Sequence, residues 1–218
     1  MGRLRTAILI SGRGTNMQAL LDYCTKTNAA AEIKIVVSNT PDAFGLKRAN
    51  EAGIPTEVIN HKLYSDREAF ESAITKTLKL HNIELICLAG FMRLLTSSFV
   101  DRWRDQLINI HPSLLPAFKG INTHERALEA GVRFSGCTVH YVRAETDCGP
   151  IIIQAVVPVL PEDNADSLAA RVLAAENRCF PKALSLIARG KTRIVEERVL
   201  IEGKNSPDTF LFNPNEKF

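Results

Sequence analysis

No apolar run in the 218 residues reaches the roughly 18 needed for a membrane-spanning helix, and no basic-then-apolar leader is present. A membrane partner is therefore not expected, and a cytoplasmic location is. The five cysteines, Cys24, Cys87, Cys137, Cys148 and Cys179, include no CxxC pair and are odd in number, and there is no Asn-x-Ser/Thr sequon. Both absences argue for a reduced chain and against a disulfide framework. Charge of one sign is also lacking: 27 basic against 24 acidic residues leave +3, too balanced for a protein that tracks a phosphate backbone. No nucleic-acid partner is expected. The five histidines, His61, His81, His111, His124 and His140, show no ligand spacing, and His124-Glu125 lacks a second His four residues after the first. No metal site is expected.

What is present is an ordinary globular composition, 45% hydrophobic and 23% charged, long enough for one sizeable core. In the first hundred residues, short apolar runs alternate with amphipathic stretches, the pattern of parallel strands joined by crossover helices. Strands are expected at Thr6–Ile10, Ile33–Val37, Thr56–Ile59, Glu84–Ala89 and Leu107–Ile110, with helices at Thr15–Thr27, Leu46–Ala52 and Arg67–Leu80. Beyond Asn122 come a short helix ending at Gly131, strands at Thr138–Val142 and Ile151–Val159 pairing antiparallel, and a helix from Asp166 to Arg189 that Pro181 should kink. Two short strands follow, around Ile194 and Val199. The fold class is α/β: a Rossmann-like open, mainly parallel twisted sheet with helices on both faces and an antiparallel C-terminal extension. Residues 1–203 read as a single domain, with 1–105 its mononucleotide-binding half and 106–203 its catalytic half. Residues 204–218 form a polar tail whose Phe210, Phe212 and Phe218 the sequence leaves unplaced.

The first strand runs into Ser11-Gly-Arg-Gly-Thr-Asn16 and then a helix, an arrangement that turns backbone N–H groups towards an anion at the helix N-terminus. The same glycines also suit a plain strand-to-helix turn with Asn16 as its cap. A dinucleotide fingerprint would place a third glycine at Met17 and an acid at the end of the second strand, where Ser38-Asn39 stands, so NAD is disfavoured. In Leu107-Ile-Asn-Ile-His-Pro112, period two puts Asn109 and His111 on one face of a strand end, where an amide donor and an imidazole can stabilise an oxyanion and move a proton. A buried Asn beside a fully paired His at the sheet would read the same way. Asp147, in a turn before Gly149-Pro150, is a candidate third group or a local cap.

Taken together, S-G-R-G-T-N, L-A-G-F-M-R-L-L, N-I-H-P-S-L-L-P and D-C-G-P-I-I, in that order and spacing, resemble the phosphoribosylglycinamide formyltransferase family across residues 6 to 190. The resemblance implies transfer of a formyl group from 10-formyltetrahydrofolate, as co-substrate, to the amine of glycinamide ribonucleotide in purine synthesis, with no metal. It gives Asn109 the formyl oxygen, His111 the oxyanion and a proton, and Asp147 the task of keeping His111 charged. It places the substrate phosphate on the amides of Gly14, Thr15 and Asn16 and the ribose or glycinamide end on Glu176, which by itself reads as solvated helix surface. Folate would lie along Met92, Arg93, Leu94 and Leu95 and the loop Arg143, Ala144, Glu145, Thr146, with Arg67 near its carboxylates. Two positions depart from the family's pattern: Asn177 stands where many members have His, and Cys148 where Ala or Gly is usual.

Relatives that hydrolyse formyltetrahydrofolate or formylate methionyl-tRNA share the trio but carry an additional domain, before the core in the first and after it in the second; a first strand at residue 6 and about thirty residues after the last long helix count against both readings. A non-catalytic phosphosugar-binding module would keep the Gly12–Asn16 loop and need none of the trio. Small-molecule substrates and a monomer or weak homodimer are expected.

Overall fold

Ala7, Ile8, Leu9 and Ile10 are all fully buried, yet they belong to two different cores. Successive side chains of a strand point to opposite faces, so a strand buried on both must lie inside a three-layer sandwich. The computed structural model describes residues 2–203 and residue 213. Its elements run β1 (Leu4–Ile10), α1 (Thr15–Cys24), β2 (Ala31–Ser38), α2 (Phe44–Glu51), β3 (Thr56–Val58), α3 (Arg67–Leu80), β4 (Leu85–Leu88), α4 (Ser97–Arg102), β5 (Leu107–His111), α5 (Thr123–Glu129), β6 (Phe134–Tyr141), β7 (Ile151–Pro158), α6 (Ala165–Ala188), β8 (Thr192–Val195) and β9 (Arg198–Ile201).

Seven strands form one sheet in the order β3-β2-β1-β4-β5-β6-β7. β3 through β5 pair parallel, while β5–β6 and β6–β7 pair antiparallel. Ile8, Ile10, Val36 and Cys87 face a core shared with α1, α2 and α6, whereas Leu9, Ile35, Val37 and Ile86 face Phe70, Ile74 and Leu78 of α3 and Phe99 of α4. The fold is thus the Rossmann-like α/β sheet expected, with helices on both faces, and β8–β9 form a separate antiparallel ribbon.

Most boundaries fall within two or three residues of the expectation, and two differences have physical causes. The six-residue α4, capped by the Thr96 side chain, is too short to show a helical period. β6 begins four residues early, because Ser135-Gly136 looks like a turn in sequence. Gly136 is there for clearance: a Cβ would sit 2.0 Å from the Ala155 carbonyl oxygen of β7. α6 runs through Pro181 to Ala188, within a residue of the expected bounds, held by Leu168, Val172, Phe180 and Leu184 in the core. The expected placement of the tail lies outside the described residues, apart from Asn213, whose Nδ2 donates to the Val159 carbonyl at 2.9 Å.

Candidate active site

The strand order reverses between β1 and β4, because the chain builds β2 and β3 on one side of β1 and then crosses to the other. Loops leaving the carboxyl ends of these two strands diverge and open a crevice. They are tied at its floor: Ser11 N donates to the Gly90 carbonyl at 3.1 Å, and Met92 N donates to Ser11 Oγ at 2.8 Å.

On the β1 side, Gly14 occupies the N-cap of α1 in the left-handed region (φ 71°), with no side-chain cap. Asn16 is therefore not the cap. First-turn amides have no intrahelical acceptor, so those of Thr15 and Asn16 point outward beside the positive end of the helix dipole. Gly14 is packed against α2: a Cβ there would lie 2.8 Å from the Gly45 Cα, and Gly45 N donates to the Gly12 carbonyl at 3.0 Å. Gly45 was not legible as part of this loop, since nothing local links residues so far apart in sequence.

The Asn16 side chain instead reaches across to α6, where its Nδ2 donates to Glu176 Oε2 at 2.8 Å. Glu176 is 7% exposed, and burial pushes its pKa up against the opposing effect of that hydrogen bond. A signal for it was present: Leu168, Val172, Glu176 and Phe180 recur every four residues, which puts the carboxylate on the buried stripe rather than on the solvated face. Asn16 Oδ1 and Asn177 Oδ1 are buried without a hydrogen-bond partner among the described residues.

On the β5 side, Asn109 and His111 sit at the strand's end as period two requires. His111 is 5% exposed; its Nδ1 lies 3.4 Å from Asp147 Oδ1 and its Nε2 is 2.9 Å from the Phe118 carbonyl. Two acceptors thus flank one ring, one against each nitrogen. Asp147 is itself held in the left-handed region (φ 49°), with its Oδ2 accepting from Gly120 N at 2.7 Å. Gly149 closes that turn, since a Cβ would be 2.2 Å from the Tyr141 carbonyl oxygen. Asn109 Nδ2 lies 3.3 Å from His140 Nε2 on the neighbouring strand. Neither Phe118 nor His140 stands out in the sequence, because one contributes only its backbone and the other is brought in by strand pairing.

Along the crevice rim, Met92 and Leu94 are 74% and 64% exposed, large apolar side chains left open to solvent immediately after a buried strand. Arg93 is exposed between them, and Leu95 packs partly on the second core. Arg67 is the exposed first residue of α3. Ala144, Glu145 and Thr146 form an exposed loop, with Glu145 paired to Lys119 Nζ at 3.2 Å. The Arg143 guanidinium is engaged elsewhere, by Asp105 at 2.8 Å and by Glu197 of the β8–β9 turn at 2.6 Å. Only its backbone is left for the loop. Cys148 accepts a hydrogen bond from Lys119 Nζ at 2.6 Å.

The chain matches the formyl transferase family over residues 4–184. It is 51% identical over 194 residues to the trifunctional purine biosynthetic protein adenosine-3 of Homo sapiens, covering 89% of this chain but only 19% of that protein. It is 40% identical over 203 residues to the phosphoribosylglycinamide formyltransferase of Haemophilus influenzae, covering 93% of this chain and 96% of that one. Among solved structures, glycinamide ribonucleotide transformylase 1 from Symbiobacterium toebii superposes with a TM-score of 0.89 at 44% identity, covering 91% of this chain and 94% of that chain.

Proposed function

Because the chain belongs to the formyl transferase family, we propose that it moves the formyl group of 10-formyltetrahydrofolate onto the amine of glycinamide ribonucleotide, a step of purine synthesis. The observation that carries this reading is the convergence of Asn109, the His111–Asp147 pair and the α1 phosphate cradle with Glu176 around one crevice. A phosphosugar-binding module needs the cradle alone.

The substrate phosphate sits on the amides of Gly14, Thr15 and Asn16, where the helix dipole favours a dianion. Glu176, hydrogen-bonded to Asn16 across the fold and followed in the chain by Asn177, offers with their Oδ1 atoms an oxygen-rich surface for hydroxyl and amine hydrogens. Met92, Leu94 and Leu95 give an apolar ledge for the pterin, flanked by Arg93 and the 143–146 backbone, with Arg67 towards the folate carboxylates. The amine nitrogen attacks the formyl carbon, so a C–N bond forms and negative charge gathers on the formyl oxygen. Asn109 Nδ2–H and the His111 imidazolium stabilise that charge, the ring exchanging the Phe118 carbonyl for the oxyanion. The folate C–N bond then breaks, and the proton lost by the attacking amine is returned to the folate nitrogen through His111 and a water held by Asp147. Every step uses groups of this chain, its two substrates and one water. The free cysteines support a reducing, cytoplasmic setting.

An absorbance assay with a 10-formyl dideazafolate, with and without glycinamide ribonucleotide, tests the reading. Turnover is expected only with the ribonucleotide. In Asp147→Asn and Asn109→Ala, kcat should fall by ~10² to 10³ or more. Deformylation without an acceptor would replace transfer by hydrolysis, and phosphate-ligand binding without turnover would leave a binding module.

A further inference from the structure

The two ends of an asparagine side chain are nearly the same shape, so a partner must select which end faces a reacting oxygen. For Asn109 that partner is His140. Strand pairing sets the two residues directly opposite one another on β5 and β6. The pairing of β6 with β7 slips between Val139 and His140, a local irregularity of the kind that re-aims side chains beside active sites. His140 is 1% exposed, with Nδ1 2.9 Å from the Tyr141 carbonyl and Nε2 3.3 Å from Asn109 Nδ2. A carbonyl oxygen can only accept, so Nδ1 carries the proton, and in the neutral ring Nε2 is left with a lone pair. Burial pushes the ring's pKa down; the Tyr141 carbonyl and Asp147 oppose this, the His111 charge reinforces it, and the Cys148 carbonyl opposes it. A neutral His140 therefore faces Asn109 as an acceptor.

We propose that His140 is a positioning residue for formyl transfer: its unprotonated Nε2 takes one hydrogen of Asn109 Nδ2 and thereby aims the other at the formyl oxygen. The proposal rests on the transfer reading of the site. His140 acts only through Asn109 and touches neither substrate. Were its Nε2 to carry a proton, the Asn109 amide would turn its carbonyl to the ring and withdraw the donor from the place where charge develops.

Kinetics of His140→Phe, His140→Gln and Asn109→Ala, singly and combined, test it together with 15N NMR of the histidine ring nitrogens in the wild-type protein. In His140→Phe, kcat should drop about 10- to 100-fold with KM for both substrates within about threefold, the scale of losing an outer support of a reacting group. His140→Gln, whose side-chain oxygen can accept at similar reach, should recover most of that loss. In an Asn109→Ala background, His140→Phe should cost no more than about twofold, since the group it orients is already gone. NMR should show His140 as the Nδ1–H tautomer. Equal losses in both backgrounds, a change confined to KM, or an Nε2–H tautomer would overturn the proposal. Absence of any transfer by the wild-type protein would sink the functional reading instead, while the tautomer still decides the geometry assigned to His140.

Discussion

Glu176 is a carboxylate on the buried stripe of a helix, with one hydrogen bond from Asn16 and a pKa raised by burial. Keeping it ionised without substrate costs folding free energy, and Glu176→Gln removes that cost while leaving an oxygen to accept from Asn16. The apo variant should be more stable than wild type by on the order of 1 kcal/mol, or ~2–4 °C in Tm for a chain of this size. Affinity for glycinamide ribonucleotide should fall at the same time. The sign with pH is fixed: above the raised folded-state pKa the wild type bears the full cost, and the gap closes as pH falls through that pKa and below the ordinary glutamate value of about 4.3, where both states become protonated. Thermal melts of both proteins from pH 8 to pH 4 check this; a constant gap would mean that Glu176 is not the titrating group. Asn109 and His111 were legible because alternation on a strand is a one-dimensional rule. The Asn109–His140 contact was not, since it depends on which strand comes to lie beside β5 and in which register.

The loop between β1 and α1 shows how one element leans on another. Gly14 supplies the positive φ that turns the chain into α1, a requirement its Gly-x-Gly setting announces. Gly45 supplies clearance, and nothing in Phe44-Gly-Leu announces that. Gly45→Ala would set a Cβ 2.5 Å from Ile10 Cδ1 and 3.3 Å from both the Gly12 carbonyl oxygen and the Gly14 Cα. The Ile10 methyl can swing aside, but the loop backbone must shift. On the proposed function, KM for glycinamide ribonucleotide should rise about tenfold with kcat changed less than about threefold, because a cradle for the phosphate would bind it alike in ground and transition states. Steady-state kinetics with the ribonucleotide varied would detect it, and an unchanged KM would show that the loop does not need this close approach. Arg143 is the opposite case: the family resemblance gave its loop a ligand contact, and in the fold its charge joins Asp105 and Glu197, bracing the 143–146 loop against the β8–β9 ribbon.

For the molecule as a whole, the division at residue 105 falls between β4 and β5, which pair in parallel within one seven-stranded sheet. A single sheet flanked by two continuous cores gives no surface at which the halves could part. We expect urea unfolding to occur in one transition, with the fluorescence of the lone, buried Trp103 and far-UV circular dichroism giving the same midpoint. Residues 1–105 expressed alone should not fold, since β4 would expose an unpaired apolar edge. Two separated transitions would instead make the halves independent domains. A monomer or weak homodimer remains our proposal, read out by sedimentation across a range of protein concentrations.

Local and periodic information sufficed for much of this protein. Alternation and run length determined the strands and their two-sided burial, Gly-x-Gly before a helix determined the turn into α1, and four motifs in fixed order determined the family. Only the tertiary structure decided what faces what: Asn16 on Glu176, Gly45 against Gly14, Phe118 and Asp147 on either side of His111, and His140 behind Asn109. Those contacts join residues brought together by strand order and helix packing, and a sequence read one segment at a time carries no term for distance across the fold.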